Sequence, residues 1–360
     1  MATPADPLDL EGDVVDLLRR LVDVASVSGD EQTIADLVQQ ALTPYAHLDV
    51  TRIGNVVVAR TEGGRTERIV VAGHLDTVPI ADNVPSRVTE EGGRTLVHGR
   101  GACDMKGGVA AQLAAAALLT EPRRDVTWIF YDNEEVEESL NGLRLLADSH
   151  PEHLDAVFAV LCEPTSARVE GGCQGTMRVV VELTGVAAHS ARSWKGHNAI
   201  HDAGALLATL AAHQAQEVVV DGLTYREGLN AVGVSGGIAG NVIPDRCEVE
   251  VNYRFAPDKS TEQAEAYVRR VLDGFPVRVS DVAPGARPGL DQPAAVEFLA
   301  AVGGEPSAKF GWTDVARFSA RGVPAVNFGP GDPNLAHTDD ELCPGDEVAT
   351  CRDALVRWLS

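Results

Sequence analysis

Short apolar segments rich in β-branched residues alternate with helical segments through the first part of the chain. Strands are predicted at 55–60, 68–72, 126–131 and 156–161, and helices at 10–24, 107–119 and 140–149. The sequence Ser28-Gly-Asp-Glu31 predicts a capping box that opens a further helix. Because strands that alternate with helices usually form a parallel sheet covered by those helices, the pattern predicts an α/β domain with a mainly parallel sheet.

The pattern changes between residues 176 and 285. Strands with alternating apolar and polar residues are predicted at 177–183, 229–238, 247–255 and 277–282, with helices at 198–213 and 261–272. After a stretch rich in proline and glycine, the elements at 293–302, 325–328 and 346–359 return to the first pattern. The sequence therefore predicts one domain formed by 1–175 and 286–360, and an α+β domain inserted at 176–285.

Histidine and acidic residues follow four of the predicted strands and one glycine-rich loop. They are His74, Asp76, Asp104, Glu134, Glu135, Glu163 and His337. Because the carboxyl ends of neighbouring parallel strands meet at one edge of a sheet, these side chains are expected to converge there. Imidazole and carboxylate groups suit zinc or cobalt, and a shared carboxylate can bridge two ions ~3.5–4 Å apart. The set predicts a site for two divalent metal ions.

Taken singly, each of these residues has an ordinary structural explanation. A histidine after a strand is often a hydrogen-bonded turn residue, and Asp76 and Asp104 resemble turn formers or helix caps. Glu134 and Glu135 lie in an acidic segment that would also suit a solvated surface, and Glu163 could simply end a strand. The loop before Asp104 is a poor phosphate cradle, since it lacks a third glycine and places a carboxylate where phosphate would bind. The combination of residues is what favours the metal site.

The charge of the chain limits its partners. The sequence has 30 Lys and Arg residues against 53 Asp and Glu residues, a formal charge of −23. This argues against nucleic acid or an anionic membrane as a partner, because binding to phosphate needs a basic surface.

No apolar run reaches the ~18–20 residues of a membrane span, and no export signal is visible. With six cysteines in no close pair, these features predict a cytoplasmic protein with reduced thiols.

Six short motifs follow one another along the chain. They are His74-Leu-Asp76, Gly99-Arg-Gly-Ala-Cys-Asp104, Glu134-Glu135, Glu163-Pro-Thr, Ala188-His189-Ser and Ala336-His337-Thr. Together they resemble the M20 metallopeptidase family, over nearly the whole chain and including the inserted segment. The resemblance implies a zinc-exopeptidase-like catalytic domain with two zinc ions, or cobalt in their place, and an inserted α+β lid and dimerisation domain. It also implies a homodimer that acts on a small N-acyl amino acid.

The resemblance implies a set of metal ligands. Its members are His74 and Glu163 for one zinc ion, Glu135 and His337 for the other, and Asp104 for both. The peptide bond between Asp104 and Met105 is expected to be cis, although neither residue is proline.

The resemblance also implies catalytic and substrate-binding roles. Asp76 would orient His74, and Glu134 would be the general base that takes a proton from the attacking water. His189 would donate a hydrogen bond to the developing oxyanion. The residues expected to bind the substrate are Arg192, Asn241, Arg254 and Thr313.

Longer stretches of the chain narrow the expected substrate. Those at 76–83, 188–194, 221–230 and 309–315 are similar to the actinobacterial members of the family that remove succinate from N-succinyl-LL-2,6-diaminopimelate. The chain departs from the proteobacterial members with this activity at 172–175, where Gly-Cys-Gln-Gly replaces an arginine pair. Two alternatives stay open: another M20 amidohydrolase, such as an acetylornithine deacetylase or a dipeptidase, and a non-catalytic metal-binding protein on the same fold.

The inserted domain is expected to present strand edges, and exposed edges are usually paired or protected. The resemblance implies a two-fold dimer through this domain, in which His189 and Asn241 reach the active site of the partner. The alternative is that His189 only caps a turn in its own subunit.

Overall fold

The computed structural model describes residues 7–360, which divide into two compact units. The first comprises the described residues up to Gly171 together with Pro288–Ser307 and Arg317–Ser360, and the second comprises Gly172–Arg287 and Ala308–Ala316. The main segment of the second unit therefore interrupts the first unit in sequence, and the second unit also includes a later segment. Among residues 7–360, no helix has the length and apolar character to cross a membrane.

The chain up to Gly171 contains the first set of strands and helices. The strands are β1 (Asp49–Ile53), β2 (Val56–Arg60), β3 (Arg68–His74), β4 (Arg87–Glu91), β5 (Arg94–His98), β6 (Asp125–Tyr131), β7 (Phe158–Leu161) and β8 (Glu170–Gly171). The helices are α1 (Val14–Asp23), α2 (Gln32–Leu42), α3 (Gly107–Leu118) and α4 (Gly142–Ser149). The strands and helices predicted for this part are confirmed to within a few residues.

The remaining elements follow in the same chain order. The strands are β9 (Gly175–Thr184), β10 (Ala188–His189), β11 (Glu217–Val220), β12 (Leu223–Arg226), β13 (Gly228–Gly236), β14 (Val242–Ile243), β15 (Arg246–Phe255), β16 (Val277–Ala283), β17 (Ser307–Ala308), β18 (Ala325–Asn327) and β19 (Leu342–Pro344). The helices are α5 (Ala199–Ala212), α6 (Thr261–Val271), α7 (Pro293–Val302), α8 (Val315–Ala320) and α9 (Gly345–Leu359).

The main sheet is parallel at its centre and antiparallel toward its sides. Its strands lie in the order β1-β2-β6-β3-β7-β18-β8-β17. The central strands β6, β3, β7 and β18 all run parallel to one another, whereas β2 pairs antiparallel with β6 and β8 pairs antiparallel with β18. The fold is therefore α/β with a mostly parallel central sheet, as predicted. The carboxyl ends of the four central strands point to the same edge.

Helix α3 brings the loop that precedes it close to this edge. Its residues Gly107–Ala117 are all buried, because its small side chains allow neighbouring elements to approach closely. A Cβ atom at Gly108 would collide with the main-chain carbonyl of Cys162, just beyond β7. Glycine at this position therefore lets α3 begin directly against the residues that lead to Glu163.

The capping box predicted at Ser28–Glu31 is wrong. Helix α2 begins at Gln32, and no side chain caps its first turn. The hydroxyl of Ser28 instead donates to Oδ2 of Asp76 at 2.7 Å, and the carboxylate of Glu31 accepts from the main-chain N–H of Gly29 at 2.7 Å. A hydroxyl bonds more strongly to a charged carboxylate than to a main-chain group, so the distant partner determines where Ser28 points.

The second unit is an antiparallel sheet with helices on one face. Its strands lie in the order β13-β15-β9-β16, and α5 and α6 pack against them. Along β9, Met177 and Val179 are buried against these helices, while Thr176 and Arg178 lie on the opposite face. This alternation is the period of two that the sequence shows.

Candidate active site

Six of the predicted residues offer donor atoms close together at the carboxyl edge of the main sheet. Three groups have their donor atoms within 4.8 Å of one another: His74, Asp104 and Glu163; Asp104, Glu135 and His337; and His74, Glu134 and Glu135. Asp104 belongs to the first two groups. The arrangement therefore offers two adjacent donor sets that share one carboxylate.

Asp104 lies between two histidines and presents one oxygen to each. Its Oδ1 is 3.2 Å from Nε2 of His74, and its Oδ2 is 3.3 Å from Nε2 of His337. The same nitrogen of His337 lies 2.9 Å from Oε1 of Glu135. The peptide bond between Asp104 and Met105 is cis, as the resemblance implied. The two oxygens of Asp104 thus face both donor sets.

The acidic surroundings give both histidines a raised pKa. Hydrogen bonds to Asp104 and Glu135 raise the pKa of His337 to about 10. Burial opposes protonation of His74, but its hydrogen bonds to Asp104 and Asp76 outweigh burial and raise its pKa well above the usual value. Burial alone would raise the pKa of the Asp104 carboxyl group. The hydrogen bonds from His337 and His74 outweigh this effect and lower the pKa below its usual range. The carboxylates of the site therefore stabilise positive charge placed between them.

Asp76 orients its neighbours through both its main chain and its side chain. Nδ1 of His74 lies 3.0 Å from the main-chain carbonyl oxygen of Asp76 and 3.5 Å from the nearest carboxylate oxygen. Because a carbonyl only accepts, Nδ1 donates, and Nε2 faces Asp104. The carboxylate of Asp76 accepts from the main-chain N–H groups of Glu134 (3.0 Å) and Glu135 (3.1 Å). The main chain of Asp76 thus orients His74, and its carboxylate positions the two glutamates.

Two residues near the site, Ser28 and Glu31, were not predicted from the sequence to contribute to it. Ser28 donates to Asp76, as described above, and Oε1 of Glu31 accepts from the main-chain N–H of Asn133 at 3.3 Å. Asn133 has a φ of 55°, a conformation that asparagine tolerates better than most residues, and it directly precedes Glu134. In the sequence, both residues belong to the motif Ser28-Gly-Asp-Glu31, which predicted a helix cap and not a contact with the site.

The other predicted residues lie in the second unit, where His189 and Asn241 are neighbours. Strand β10 pairs with β14, and the main-chain N–H of Ser190 donates to the carbonyl of Asn241 at 2.9 Å. Nδ1 of His189 accepts from the main-chain N–H of Ala191 at 3.0 Å. A neutral imidazole that accepts at Nδ1 carries its proton on Nε2. His189 therefore caps a local turn and still offers a donor at Nε2.

Arg254 has a second guanidinium near it. Arg254 and Arg178 lie on the same face of the sheet, because Arg254 is paired with Thr176 and Arg178 with Asn252. In residues 7–360, neither arginine has a carboxylate within ion-pair distance. Burial lowers the pKa of Arg254, and the charge of Arg178 adds to this effect. Two neighbouring cationic groups without an acidic partner make this face attractive to an anion.

The two remaining candidates differ in their surroundings. Arg192 is exposed in the turn Ser190–Lys195. Thr313 is buried, and its carbonyl lies 3.7 Å from the Sγ of Cys173.

These features define a class of protein: an α/β unit that gathers histidines and carboxylates at the ends of parallel strands, as expected of a metal-dependent hydrolase. The sequence profile described as peptidase family M20/M25/M40 matches residues 70–360. The chain belongs to this family, which confirms the resemblance seen in its motifs.

Two relatives match almost the entire chain. A protein of Mycobacterium tuberculosis, provisionally named succinyl-diaminopimelate desuccinylase DapE, is 51% identical over 355 residues, which cover 98% of this chain and 99% of the relative. The succinyl-diaminopimelate desuccinylase of Corynebacterium glutamicum is 48% identical over 364 residues, which cover 98% of both chains.

A solved structure supports the fold. A tripeptidase from Staphylococcus aureus superposes with a TM-score of 0.78 at 20% identity, over 98% of each chain. At this level of identity, the likeness establishes the fold.

Proposed function

We propose that the chain is a metal-dependent amidohydrolase that converts N-succinyl-LL-2,6-diaminopimelate and water to succinate and LL-2,6-diaminopimelate. The observation that carries this proposal is the pair of donor sets that share Asp104, with Glu134 beside them, in a chain of the M20 family. The names of the two relatives at 51% and 48% identity support the choice of substrate. All six cysteines are buried and none forms a disulfide, which supports the cytoplasm as the proposed location.

The residues of the site fit two divalent ions. His74, Asp104 and Glu163 would hold one ion, and Asp104, Glu135 and His337 the other. Even if both imidazoles are protonated, they neutralise at most two of the carboxylates in and around these sets. The site therefore has an excess of negative charge, which a bound cation would neutralise. Imidazole and carboxylate donors suit zinc, with cobalt as the alternative. When bound, such ions would polarise the amide carbonyl and lower the pKa of a water molecule.

Glu134 is proposed as the general base. It takes a proton from water while the water oxygen bonds to the amide carbon, and it returns that proton to the amine nitrogen as the C–N bond breaks. The hydrogen bond from its main-chain N–H to Asp76 fixes the start of its side chain. Asp76 is thus a positioning residue for both His74 and Glu134.

His189 is proposed as the donor to the oxyanion. Because its Nδ1 accepts from the main-chain N–H of Ala191, the proton of the neutral imidazole lies on Nε2, and this N–H can donate to the oxyanion. His189 is exposed, so its side chain is accessible to the negative charge that develops on the carbonyl oxygen.

The substrate carries carboxylates on its succinyl group and at both ends of diaminopimelate. Arg254, together with Arg178, is proposed to bind one of them, since a guanidinium matches the geometry of a carboxylate. The further residues proposed to bind the substrate are Arg192, Asn241 and Thr313. Arg178 would supply part of the positive charge that the proteobacterial members with this activity place in the arginine pair, which is replaced here at 172–175.

A panel of substrates tests the proposed function. The cobalt- or zinc-loaded protein should hydrolyse N-succinyl-LL-2,6-diaminopimelate with a kcat/KM on the order of 10²-fold above that for N-acetylornithine, because the acetyl group lacks a carboxylate for a charge-assisted hydrogen bond. Preference for N-acetylornithine or a dipeptide would identify another amidohydrolase. Full metal occupancy without turnover of any of these amides would identify a non-catalytic metal-binding protein.

The homodimer is proposed to form through strand β13. This strand lies at one edge of the sheet of the second unit and carries Val232 and Val234, which are 59% and 54% exposed. The opposite edge, β16, carries Arg278 and Asp281 among its exposed residues. Charged residues on an edge strand discourage pairing with another copy, whereas an apolar edge invites it. Edge β13 is therefore the better candidate for the interface.

Val234→Lys should convert the dimer to monomers. A lysine at this position would be buried against its copy if β13 forms the interface, and the cost of burying an unpaired charge would prevent association. Light scattering after size-exclusion chromatography measures the mass. Ser280→Lys, which places the same charge on the exposed edge β16, should leave the dimer intact. A dimeric Val234→Lys protein, or a monomeric Ser280→Lys protein, would contradict the assignment of β13.

A further inference from the structure

The carboxylate of Glu341 is buried beneath the loop that carries Asp104. Its Oε1 accepts from the main-chain N–H groups of Cys103 and Asp104, both at 3.1 Å, and its Oε2 accepts from that of Gly101 at 3.0 Å. Only 1% of Glu341 is exposed. Three N–H groups of one loop thus converge on a single carboxylate, an arrangement that proteins use to bind anions.

The conformation of this loop depends on glycine at position 101. Gly101 has a φ of 78°, in the left-handed region, and a Cβ atom there would collide with the side chain of Thr77. The glycine allows its own N–H group to point at Glu341 while the loop turns toward Asp104.

Arg100 connects the same carboxylate to two other loops of the site. Its Nη1 donates to Oε2 of Glu341 at 3.1 Å and to the carbonyl of Thr338 at 3.0 Å, and its Nε donates to the carbonyl of Pro79 at 2.9 Å. Thr338 directly follows His337, and Pro79 lies shortly after Asp76. The buried pair of Arg100 and Glu341 therefore joins three loops that carry site residues.

Strand pairing places Glu341 where these contacts are possible. Strand β19 pairs with β5, so that Leu342 lies opposite His98. Strand β5 leads directly into the loop of Asp104, and β19 directly follows the segment of His337. The main-chain N–H of Gly99 also donates to the carbonyl of Glu341 at 3.0 Å. Both the main chain and the side chain of Glu341 thus hold the loop of Asp104.

We propose that Glu341 is a positioning residue of the metal centre, which fixes Asp104 relative to His337 and thereby sets how tightly the centre retains its ions. The role rests on the proposed metal centre. Asp104 is the carboxylate that both donor sets share, so a shift of its main chain would disturb both sets together. Glu341 touches no donor atom itself and acts only through the loop that presents Asp104.

Glu341→Gln tests this role because it preserves the size of the side chain and removes its charge and one acceptor oxygen. The cobalt-loaded protein is dialysed against graded concentrations of a chelator, and the cobalt remaining on each chain is counted. We expect retention to weaken by about 10–100-fold, the usual effect of losing a residue that orients a metal ligand. The visible absorption of bound cobalt should also change, since it reports the geometry of the ligands.

Asp125→Asn is the matched control. Asp125 is also a buried carboxylate that accepts from two main-chain N–H groups, those of Gly63 (2.7 Å) and Arg65 (2.9 Å), and it lies 3.8 Å from Arg68. Asp125 is the first residue of β6, so it lies at the amino ends of the parallel strands, whereas the site lies at their carboxyl ends. Asp125→Asn should leave cobalt retention and the spectrum unchanged even where it lowers thermal stability. An equal loss in both variants, or wild-type retention in folded Glu341→Gln, would overturn the proposal.

Glu341→Asp provides a second test that keeps the charge facing Arg100. The shorter side chain withdraws its oxygens from the loop, so we expect weaker cobalt retention here as well. Wild-type retention and spectrum in Glu341→Asp would overturn the role, even where Glu341→Gln does not fold. None of these measurements uses a substrate. Failure to hydrolyse the succinyl amide would therefore overturn the proposed substrate and leave this result standing.

Discussion

Replacing Glu134 by glutamine should lower kcat for amide hydrolysis by ~10²–10⁴ and leave the metal content unchanged. The amide of glutamine has nearly the same size as the carboxylate but cannot take a proton from water. The hydrogen bond from the main-chain N–H of residue 134 to Asp76 does not involve the side chain and should persist. Steady-state kinetics and elemental analysis of the same preparation measure the two quantities together.

Two further variants separate the role of Glu134 from a general effect of charge. Glu137→Gln removes the same charge from an exposed position of the same acidic segment and should leave kcat unchanged. His337→Ala removes a proposed ligand and should lower the metal content instead. Near-normal turnover by Glu134→Gln with two metals bound would show that another group is the base.

The framework of the site could be predicted from the sequence because its elements are locally encoded. Strands β3 and β6 are apolar runs with β-branched residues, so their ends could be placed within a few residues. Once the central strands are parallel, the residues after them must share one edge, whatever the details of the loops. This is why His74 and Glu134, which are far apart in sequence, were expected to be neighbours.

The supporting contacts could not be predicted, because they join residues that are distant in sequence. The hydroxyl of Ser28 reaches Asp76 across 48 residues, and Glu341 accepts from Asp104 across 237 residues. Local patterns carry no information about such partners, and for Ser28 the local pattern pointed to a helix cap instead. Likewise, the pattern of the inserted domain gave no sign that Ala308–Ala316 belongs to the second unit.

Mixing inactive Glu134→Gln and inactive His189→Ala proteins should restore activity if His189 of one subunit serves the metal centre of its partner. In a heterodimer, one site would combine an intact Glu134 with an intact His189, and the other site would have neither. With statistical exchange between two-fold dimers, the mixture should reach about one quarter of wild-type activity. Native mass spectrometry of the mixture establishes that subunits have exchanged.

A mixture of wild-type protein with the double variant Glu134→Gln/His189→Ala is the matched control, because the two arrangements predict opposite results for its heterodimers. If His189 acts in the partner, each heterodimer site lacks one residue, and the equal mixture should retain about one quarter of the activity of fully wild-type protein. If His189 acts in its own subunit, the wild-type half of each heterodimer stays intact and the mixture should retain about one half. The hydrogen bond from Ala191 to Nδ1 of His189 is compatible with both arrangements, since it leaves Nε2 available in each. Exchange without recovery in the first mixture, together with retention of one half in the second, would place His189 in the active site of its own subunit.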